Sequence, residues 1–178
     1  MPDGGPPPID GGVVSPKIVF VSSQTLVGNL GGLSGADQSC TNMAHGAGLS
    51  GTFKAWLSDA TGSPATRFFK SPGPYRLTNG EHIADNWNDL VDGTISAPID
   101  RDERGLPAPS SSICEGGEVW TNTTPAGLPA SSMSCGNWTN TTATSSSGSF
   151  VFIDRRWSES GCISIRCASD LSIFCFEQ

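Results

Sequence analysis

The sequence predicts a single α+β domain of short strands, two short helices and long loops, held together by disulfide bonds. Six cysteines in 178 residues, none in a Cys-x-x-Cys spacing, favour disulfides over a zinc site. Charged residues make up only 15% of a chain with 22 glycines and 13 prolines, which is typical of loop-rich extracellular domains. Short runs of β-branched and aromatic residues lie near both ends of the chain, and one longer run has helical periodicity.

The N-terminal segment, residues 1–16, is rich in Pro and Gly and has almost nothing to bury. Such a composition predicts a disordered tail, and a tether that holds the domain off a membrane is the alternative. We expect the folded domain to span residues 17–178. We also expect a removed export signal upstream of Met1, with a lipid anchor as one form of the attachment.

The first strand is predicted at Lys17–Ser23, bounded by a proline and a glycine-rich turn. A helix follows between two copies of Gly-Leu-Ser-Gly, at 32–35 and 48–51. Ser34 can cap this helix, and Asp37 then falls in its first turn, where the helix dipole favours a carboxylate. Small and apolar residues recur at helical spacing around Cys40, so we expect that cysteine to lie on the buried side.

The remaining elements are shorter. Residues 52–57 read as a strand and residues 60–75 as a loop. Asp85–Asp92 predicts a second short helix capped by Asp85, with Trp87 on its buried side. Further strands are predicted at Glu118–Thr121, Phe150–Asp154 and Leu171–Glu177.

The stretch GLSGADQSC and AGLSGTFKAWLSD, between Gly32 and Asp59, closely resembles the first helix and following strand of endostatin-like domains. This family includes the C-terminal domain of collagen XVIII and, more similar still, bacterial leptospiral outer-membrane lipoproteins. The resemblance runs from about Lys17 to Gln178. It implies an endostatin-like, C-type-lectin-like fold with mixed, twisted antiparallel sheets, in which the first and last strands pair.

The residues alone leave the cysteine pairing open, because six cysteines allow fifteen pairings. The resemblance implies two nested bridges, Cys40–Cys175 and Cys135–Cys167. It leaves Cys114 and Cys162 for a third bridge that endostatin lacks. Disulfides in turn predict an oxidising setting: extracellular, cell-surface or periplasmic.

The sequence predicts no enzyme, no cofactor and no metal site. It has no Gly-x-Ser-x-Gly motif, and only His45 and His82 could serve as the base of a serine triad; both are expected at exposed helix or turn positions. The resemblance brings no zinc site, since this N-terminus lacks the histidines that endostatin uses. Asp100, Asp102 and Glu103 share one loop and could hold calcium, but the interleaved arginines favour a solvated charged turn.

The formal net charge of −7 argues against nucleic acid as a partner, because phosphate binding requires a basic face. It also argues against transferring heparin binding from endostatin. The chain has no apolar run long enough for a transmembrane segment. We therefore expect a non-enzymatic recognition or adhesion module that binds extracellular proteins or glycans. The resemblance implies laminin-, complement-regulator- or plasminogen-type ligands.

The region after Cys114 is rich in Ser, Thr and Asn, and in lectin-like folds the corresponding long loops carry ligand contacts. Exposed aromatic and arginine side chains are common anchors of interfaces. The predicted binding residues are Trp120, Asn122, Asn137, Trp138, Arg155, Arg156 and Trp157. The alternative for the tryptophans is a place in the core. Asn122, Asn137 and Asn140 each begin an Asn-x-Thr glycosylation sequon.

Two other functions remain open at this point. One is a structural building block of a surface layer or fibre, which self-association would reveal. The other is a calcium-dependent lectin or carbohydrate-active domain, which calcium-dependent glycan binding would reveal.

Overall fold

The computed structural model describes residues 14–110, 113–114 and 116–178. Most of the predicted tail, residues 1–13, lies outside the described residues. In chain order the elements are β1 (Lys17–Val21), α1 (Gly32–Gly46), β2 (Phe53–Ala55), α2 (Pro64–Arg67), β3 (Tyr75–Leu77), β4 (His82–Ala84), α3 (Trp87–Leu90), β5 (Glu118–Trp120), α4 (Cys135–Trp138), β6 (Thr144–Ser145), β7 (Ser147–Ser149), a 3₁₀ turn (Arg155–Trp157), β8 (Ile165–Arg166) and β9 (Ser172–Glu177).

The last strand is the centre of a mixed seven-stranded sheet. β9 runs antiparallel to β1, so the first and last strands pair as expected. Along its other side β9 pairs antiparallel with β2 and then parallel with β5. The sheet continues from β1 to β3 and β4, and from β5 to β7. Because β1–β3 and β5–β9 are parallel pairs, the sheet is mixed rather than wholly antiparallel.

Both faces of the central strands are buried, which gives the domain two hydrophobic clusters. Successive side chains of a strand point to opposite faces. Accordingly Phe174 and Phe176 of β9 lie in one cluster, whereas Ile173 and Cys175 lie in the other. The first cluster is rich in aromatic rings and is centred on Trp56, which packs against four other rings. The second cluster holds α1 against the sheet.

Helix α1 begins earlier than the sequence predicts. Gly31, with φ of 77°, precedes its first residue, and no side chain caps it, so Ser34 lies inside the first turn rather than before it. Asp37 is beyond that turn and has another role. Its carboxylate accepts two 2.6 Å hydrogen bonds from Arg67 and one of 2.9 Å from the Ala55 backbone N–H. Asp37 therefore ties α1 to β2 and α2.

Two other predicted boundaries need correction. Helix α3 is capped by Asn86, not Asp85, because the Asn86 side chain accepts from the Asn88 and Asp89 backbone amides. The predicted strand Phe150–Asp154 is wrong, since the strand is β7, Ser147–Ser149, just before it. An all-polar strand escapes a search for apolar periodicity. It is buried here because its hydroxyls find partners, as in the 3.0 Å contact between Ser147 and Ser160.

Three disulfides join Cys40 to Cys175, Cys114 to Cys162 and Cys135 to Cys167. Cys40–Cys175 and Cys135–Cys167 are the two bridges that the resemblance implies, and Cys114–Cys162 is the third bridge, left by elimination, that endostatin lacks. The first bridge clamps the middle of α1 to the central strand β9 and closes 135 residues of chain. The three disulfides, the mixed sheet and the few helices define a disulfide-rich α+β domain. Such a domain is consistent with an oxidising extracytoplasmic location.

The single tyrosine of the chain reports directly on core integrity. Tyr75 is 1% exposed, and burial raises the pKa of its phenol to about 12 despite a hydrogen bond from the Ser71 amide. Because the folded state favours the protonated phenol, protonated Tyr75 stabilises the fold. This stabilisation is complete below pH 10 and is lost as the pH rises from about 10 to 12. We expect phenolate absorbance of the folded protein to titrate near pH 12. The guanidinium-unfolded chain should titrate near pH 10; the same midpoint in both states would contradict burial of Tyr75.

Candidate functional site

The three tryptophans predicted to form a binding face are core residues. Trp120, Trp138 and Trp157 are each 0% exposed. The Trp120 and Trp138 indole N–H groups donate to the backbone carbonyls of Leu26 (2.8 Å) and Ser58 (3.1 Å). The Trp157 ring packs 4.9 Å from that of Trp56 in the aromatic cluster. Because all three rings are buried, they have no exposed surface with which to contact a partner. Turning them outward would lose the free energy that burial of their apolar area contributes to folding. The core alternative for the tryptophans is correct.

Asn122, also predicted to bind, is the hub of a buried polar network. Asn122 is 0% exposed, and its backbone φ is 43°. The side-chain amide donates to the Ser58 and Ser131 carbonyls, at 3.2 and 3.0 Å. Its oxygen accepts from the Ser131 and Ser146 hydroxyls, at 2.8 and 3.2 Å. With its amide group fully used, Asn122 is a structural residue and offers no accessible nitrogen to a glycan.

Asn137 does reach the surface, on an unusual turn. All four residues of α4, Cys135–Trp138, have positive φ, so the turn is left-handed. The Cys135–Cys167 bridge and the buried Trp138 hold it in place. The Asn137 side-chain oxygen accepts from the Ala60 backbone N–H at 3.3 Å, which leaves its amide nitrogen exposed. Of the three sequon asparagines, Asn137 is thus the most exposed, since Asn122 is buried and Asn140 is half-buried.

Exposed apolar side chains of this region include two at Val151–Arg156, called here the 151–156 segment, besides Leu128 and Ile163 elsewhere. Val151 and Ile153 are each 48% exposed and lie close together in sequence, which makes them more informative than single exposed aliphatic residues. Between them lies Phe152, whose ring is covered by the Arg156 guanidinium at 3.7 Å from the ring centroid. The segment therefore presents two aliphatic side chains beside an arginine stacked on an aromatic ring.

The segment is fixed to its surroundings by hydrogen bonds although it is not a strand. The Ile153 carbonyl accepts from the Ile95 backbone N–H at 2.8 Å. Asp154 caps the 3₁₀ turn by accepting from the Arg156 backbone N–H, and its two oxygens also take the Arg156 side chain at 2.7–3.1 Å. Immediately after it, Trp157 plugs into the core. A preformed segment loses little conformational freedom on binding, which favours affinity.

The charge of the segment is locally balanced. Arg156 pairs with Asp154, and Arg155 lies 3.6 Å from Glu159. Arg155 and Arg156, both predicted binding residues, are 67% and 42% exposed at the side chain. Two exposed guanidinium groups next to aliphatic side chains make a mixed apolar and polar surface, the composition found at the centre of many protein interfaces.

The Asp154–Arg156 pair makes a prediction about pH. Hydrogen bonds from the Arg156 side chain lower the pKa of the Asp154 carboxyl from 3.8 to about 2. The ionised Asp154 carboxylate therefore stabilises the folded state fully above pH 3.8, and this stabilisation is lost as the pH falls towards 2. We expect carboxyl NMR to give a midpoint for Asp154 near pH 2, and Arg156→Gln to raise it towards 3.8. Arg155→Gln, which removes only a nearby charge, should change the midpoint little; an equal rise in both variants would contradict the geometry.

His82 has a serine and an aspartate as neighbours. Its Nδ1 lies 3.3 Å from the Ser96 hydroxyl and its Nε2 lies 2.9 Å from an Asp85 carboxylate oxygen. The Asp85 side chain is 79% exposed, so water competes for the position that must orient a catalytic imidazole. The Ser96 backbone N–H donates to the Ile83 carbonyl and is not available to an oxyanion. The arrangement is that of a surface hydrogen-bond cluster. His45 is also exposed, and bonds the Gly51 carbonyl.

The acidic loop directs its carboxylates to separate partners. Asp102 accepts from the backbone amides of Arg104 and Leu106 at 2.8 and 2.9 Å. Glu103 accepts from the Ser23 backbone N–H and hydroxyl, and from Arg104. Asp100 faces Arg101 at 3.8 Å. Within the described ranges, no group of three or more His, Cys, Asp or Glu side chains is arranged to hold a metal ion.

The structure leaves the two predicted arginines exposed, whereas Val151 and Ile153 are not among the predicted binding residues. The run Phe150–Asp154 predicts a strand, and a strand would have buried one side of it. The signal available was the following Asp-Arg-Arg-Trp, in which an N-capping aspartate starts a turn immediately after the apolar run.

No protein-family model matches the chain, and no curated protein matches it. In the part of the chain that the structure describes, none of the helices combines the length and apolar character needed to cross a bilayer.

Proposed function

We propose that this chain is an extracellular, non-enzymatic recognition module that binds matrix or plasma proteins through the 151–156 segment. The observation that carries the proposal is the exposure of Val151 and Ile153 beside the Phe152–Arg156 stack, on a segment fixed by hydrogen bonds. Arginine is among the residue types that contribute most to affinity at protein interfaces, and surrounding apolar contacts exclude water from it. The three disulfides support an oxidising compartment, where such partners are found.

The proposal includes kinship with endostatin-like domains and a C-type-lectin-like fold. Pairing of the first and last strands supports it, as do the two nested bridges, Cys40–Cys175 and Cys135–Cys167, that the resemblance implies. Laminin-, complement-regulator- and plasminogen-type proteins are therefore the first ligands to test. Folds of this kind host unrelated functions, so the identity of the ligand depends on the exposed residues and not on the fold.

The test is capture of matrix proteins, serum proteins and glycans by the intact oxidised domain, compared with the Val151→Ser/Ile153→Ser double variant. We expect truncation of both side chains together to weaken capture at least about tenfold, a loss of about 1.4 kcal/mol of binding free energy. Phe69→Ser/Leu128→Ser is the matched control, since both residues are exposed apolar side chains outside the segment.

Unchanged capture by the segment variant, or equal loss in the control, would contradict the proposal. Sedimentation of the unbound domain over a range of concentrations separates this function from a structural one. Self-association abolished by Val151→Ser/Ile153→Ser, without capture of any other protein, would assign the segment to assembly of the chain with itself.

A further inference from the structure

A polar cleft of about 290 Å³ lies between α1 and the loops that carry Gln24 and Arg104. Ser39, Asn42, Met43 and Gly46 form its helical wall. These four positions are three and four residues apart, so they share one face of α1. The cleft shares no lining residue with the 151–156 segment.

An ion pair between the buried Glu103 and the exposed Arg104 lies at one side of the cleft. The Glu103 side chain is only 1% exposed, and its carboxylate accepts from the Ser23 backbone N–H at 3.0 Å and from Arg104 at 3.0 Å. The Arg104 side chain is 54% exposed and also reaches the Ser23 hydroxyl at 3.3 Å. One acidic and one basic group leave this side of the cleft without net charge, so a strongly charged ligand has nothing to neutralise.

The walls offer both donors and acceptors. Gln24 is exposed at the rim, and Asn42 uses its oxygen to accept from Gln38 at 2.8 Å, which leaves its amide protons for a ligand. Arg104 has further N–H groups directed outward from its pair with Glu103. Met43 adds a partly buried, adaptable apolar surface. Hydroxyl groups, which both donate and accept, match this mixture.

We infer that the cleft binds a small neutral polyhydroxylated ligand, namely a pyranose sugar, free or at the end of a glycan chain. The amides of Asn42 and Gln24 and the Arg104 guanidinium bond its hydroxyls, and Met43 contacts a C–H face. The volume is near the lower end of the range for ligand pockets and accommodates one sugar ring. Binding of one ring is weak, with a dissociation constant on the order of 1 mM.

Substitution of Gly46 by a large residue is a way to block the cleft. A Cβ at this position meets no atom within 4 Å, and the backbone there is helical. Because Gly46 lines the cleft, Gly46→Phe adds a ring to its wall without a clash at Cβ, and replacing a helical glycine removes a small destabilisation. His45→Phe is the matched control, because His45 is an exposed residue of the same helix outside the cleft lining.

The test is a backbone-amide NMR titration of the isotope-labelled oxidised domain with a panel of free hexoses and N-acetylhexosamines. We expect at least one sugar to shift the amides of Asn42, Gly46 and Arg104, and Gly46→Phe to weaken that binding at least about tenfold. His45→Phe and Val151→Ser/Ile153→Ser should bind as the wild type does. Arrays of glycans that end in the active sugar then distinguish a chain end from a free sugar as the source.

No amide shift with any sugar at about 50 mM would overturn the inference, since even weak single-ring binding saturates well below that concentration. Binding that Gly46→Phe leaves intact would overturn it as well. The result is independent of the 151–156 segment, so failure here leaves the proposed protein recognition standing, and the reverse also holds.

Discussion

Asn122→Asp is expected to destabilise the domain by about 3–5 kcal/mol, a large fraction of the stability of a domain this size. The substitution keeps the shape of the side chain but replaces the donor group with an oxygen. Two hydrogen bonds to the Ser58 and Ser131 carbonyls are lost, and a carboxylate faces these carbonyls in a fully buried site. Each unsatisfied buried partner costs about 1–3 kcal/mol, and the buried charge adds to this. Urea unfolding monitored by tryptophan fluorescence measures the change.

Asn137→Asp is the matched control for this substitution. Asn137 is exposed, and its side-chain oxygen accepts from the Ala60 backbone N–H and the Ser134 hydroxyl, two contacts that survive in aspartate. Its free energy of unfolding should therefore stay within about 0.5 kcal/mol of the wild type. Equal effects at the two positions would show that Asn122 is not the hub of the polar network.

Removing the Cys40–Cys175 bridge should have the largest effect of any disulfide. The bridge closes 135 residues, for which chain entropy alone gives about 5 kcal/mol. Both cysteines are 0% exposed, so Cys40→Ala/Cys175→Ala also leaves a cavity between α1 and β9. We expect this variant to be unfolded at about 37 °C, because loss of a native disulfide from a small secreted domain often abolishes folding at that temperature. Thermal unfolding followed by near-ultraviolet circular dichroism measures it.

Cys114→Ala/Cys162→Ala gives the comparison. That bridge closes only 48 residues, worth about 4 kcal/mol in the same entropy model, and Cys114 lies at the surface. The variant should therefore unfold at a higher temperature than Cys40→Ala/Cys175→Ala. The opposite order would mean that the clamp between α1 and β9 is not the dominant covalent constraint.

Much of the fold could be predicted because its strongest local signals agree with the tertiary structure. The β-branched run of β1 and the apolar run of β9 are strands, and they pair with each other. Element ends were less predictable. Gly31 opens α1 through its left-handed backbone, which no rule based on side-chain caps detects. Strand β7 consists of Ser-Gly-Ser, and its burial depends on hydroxyl partners that are distant in sequence, such as Ser160.

The candidate site was harder to predict, because composition does not distinguish a core tryptophan from an exposed one. Trp120, Trp138 and Trp157 lie in the loop-rich region where contacts with a ligand were expected, yet all three fill the interior. A small sheet with two buried faces needs large side chains from its loops as well as its strands. The exposed residues of the site, Val151 and Ile153, became visible only from the tertiary structure.

The central claim is a domain closed by three disulfides in an oxidising compartment, with α1 clamped to β9. A non-reducing peptide map, made after alkylation of the exported protein under denaturing conditions, tests it most directly. We predict the three cross-linked pairs Cys40–Cys175, Cys114–Cys162 and Cys135–Cys167, with no alkylated cysteine. Recovery of Cys40 or Cys175 as an alkylated thiol would contradict both the clamp and the extracytoplasmic setting on which the recognition function depends.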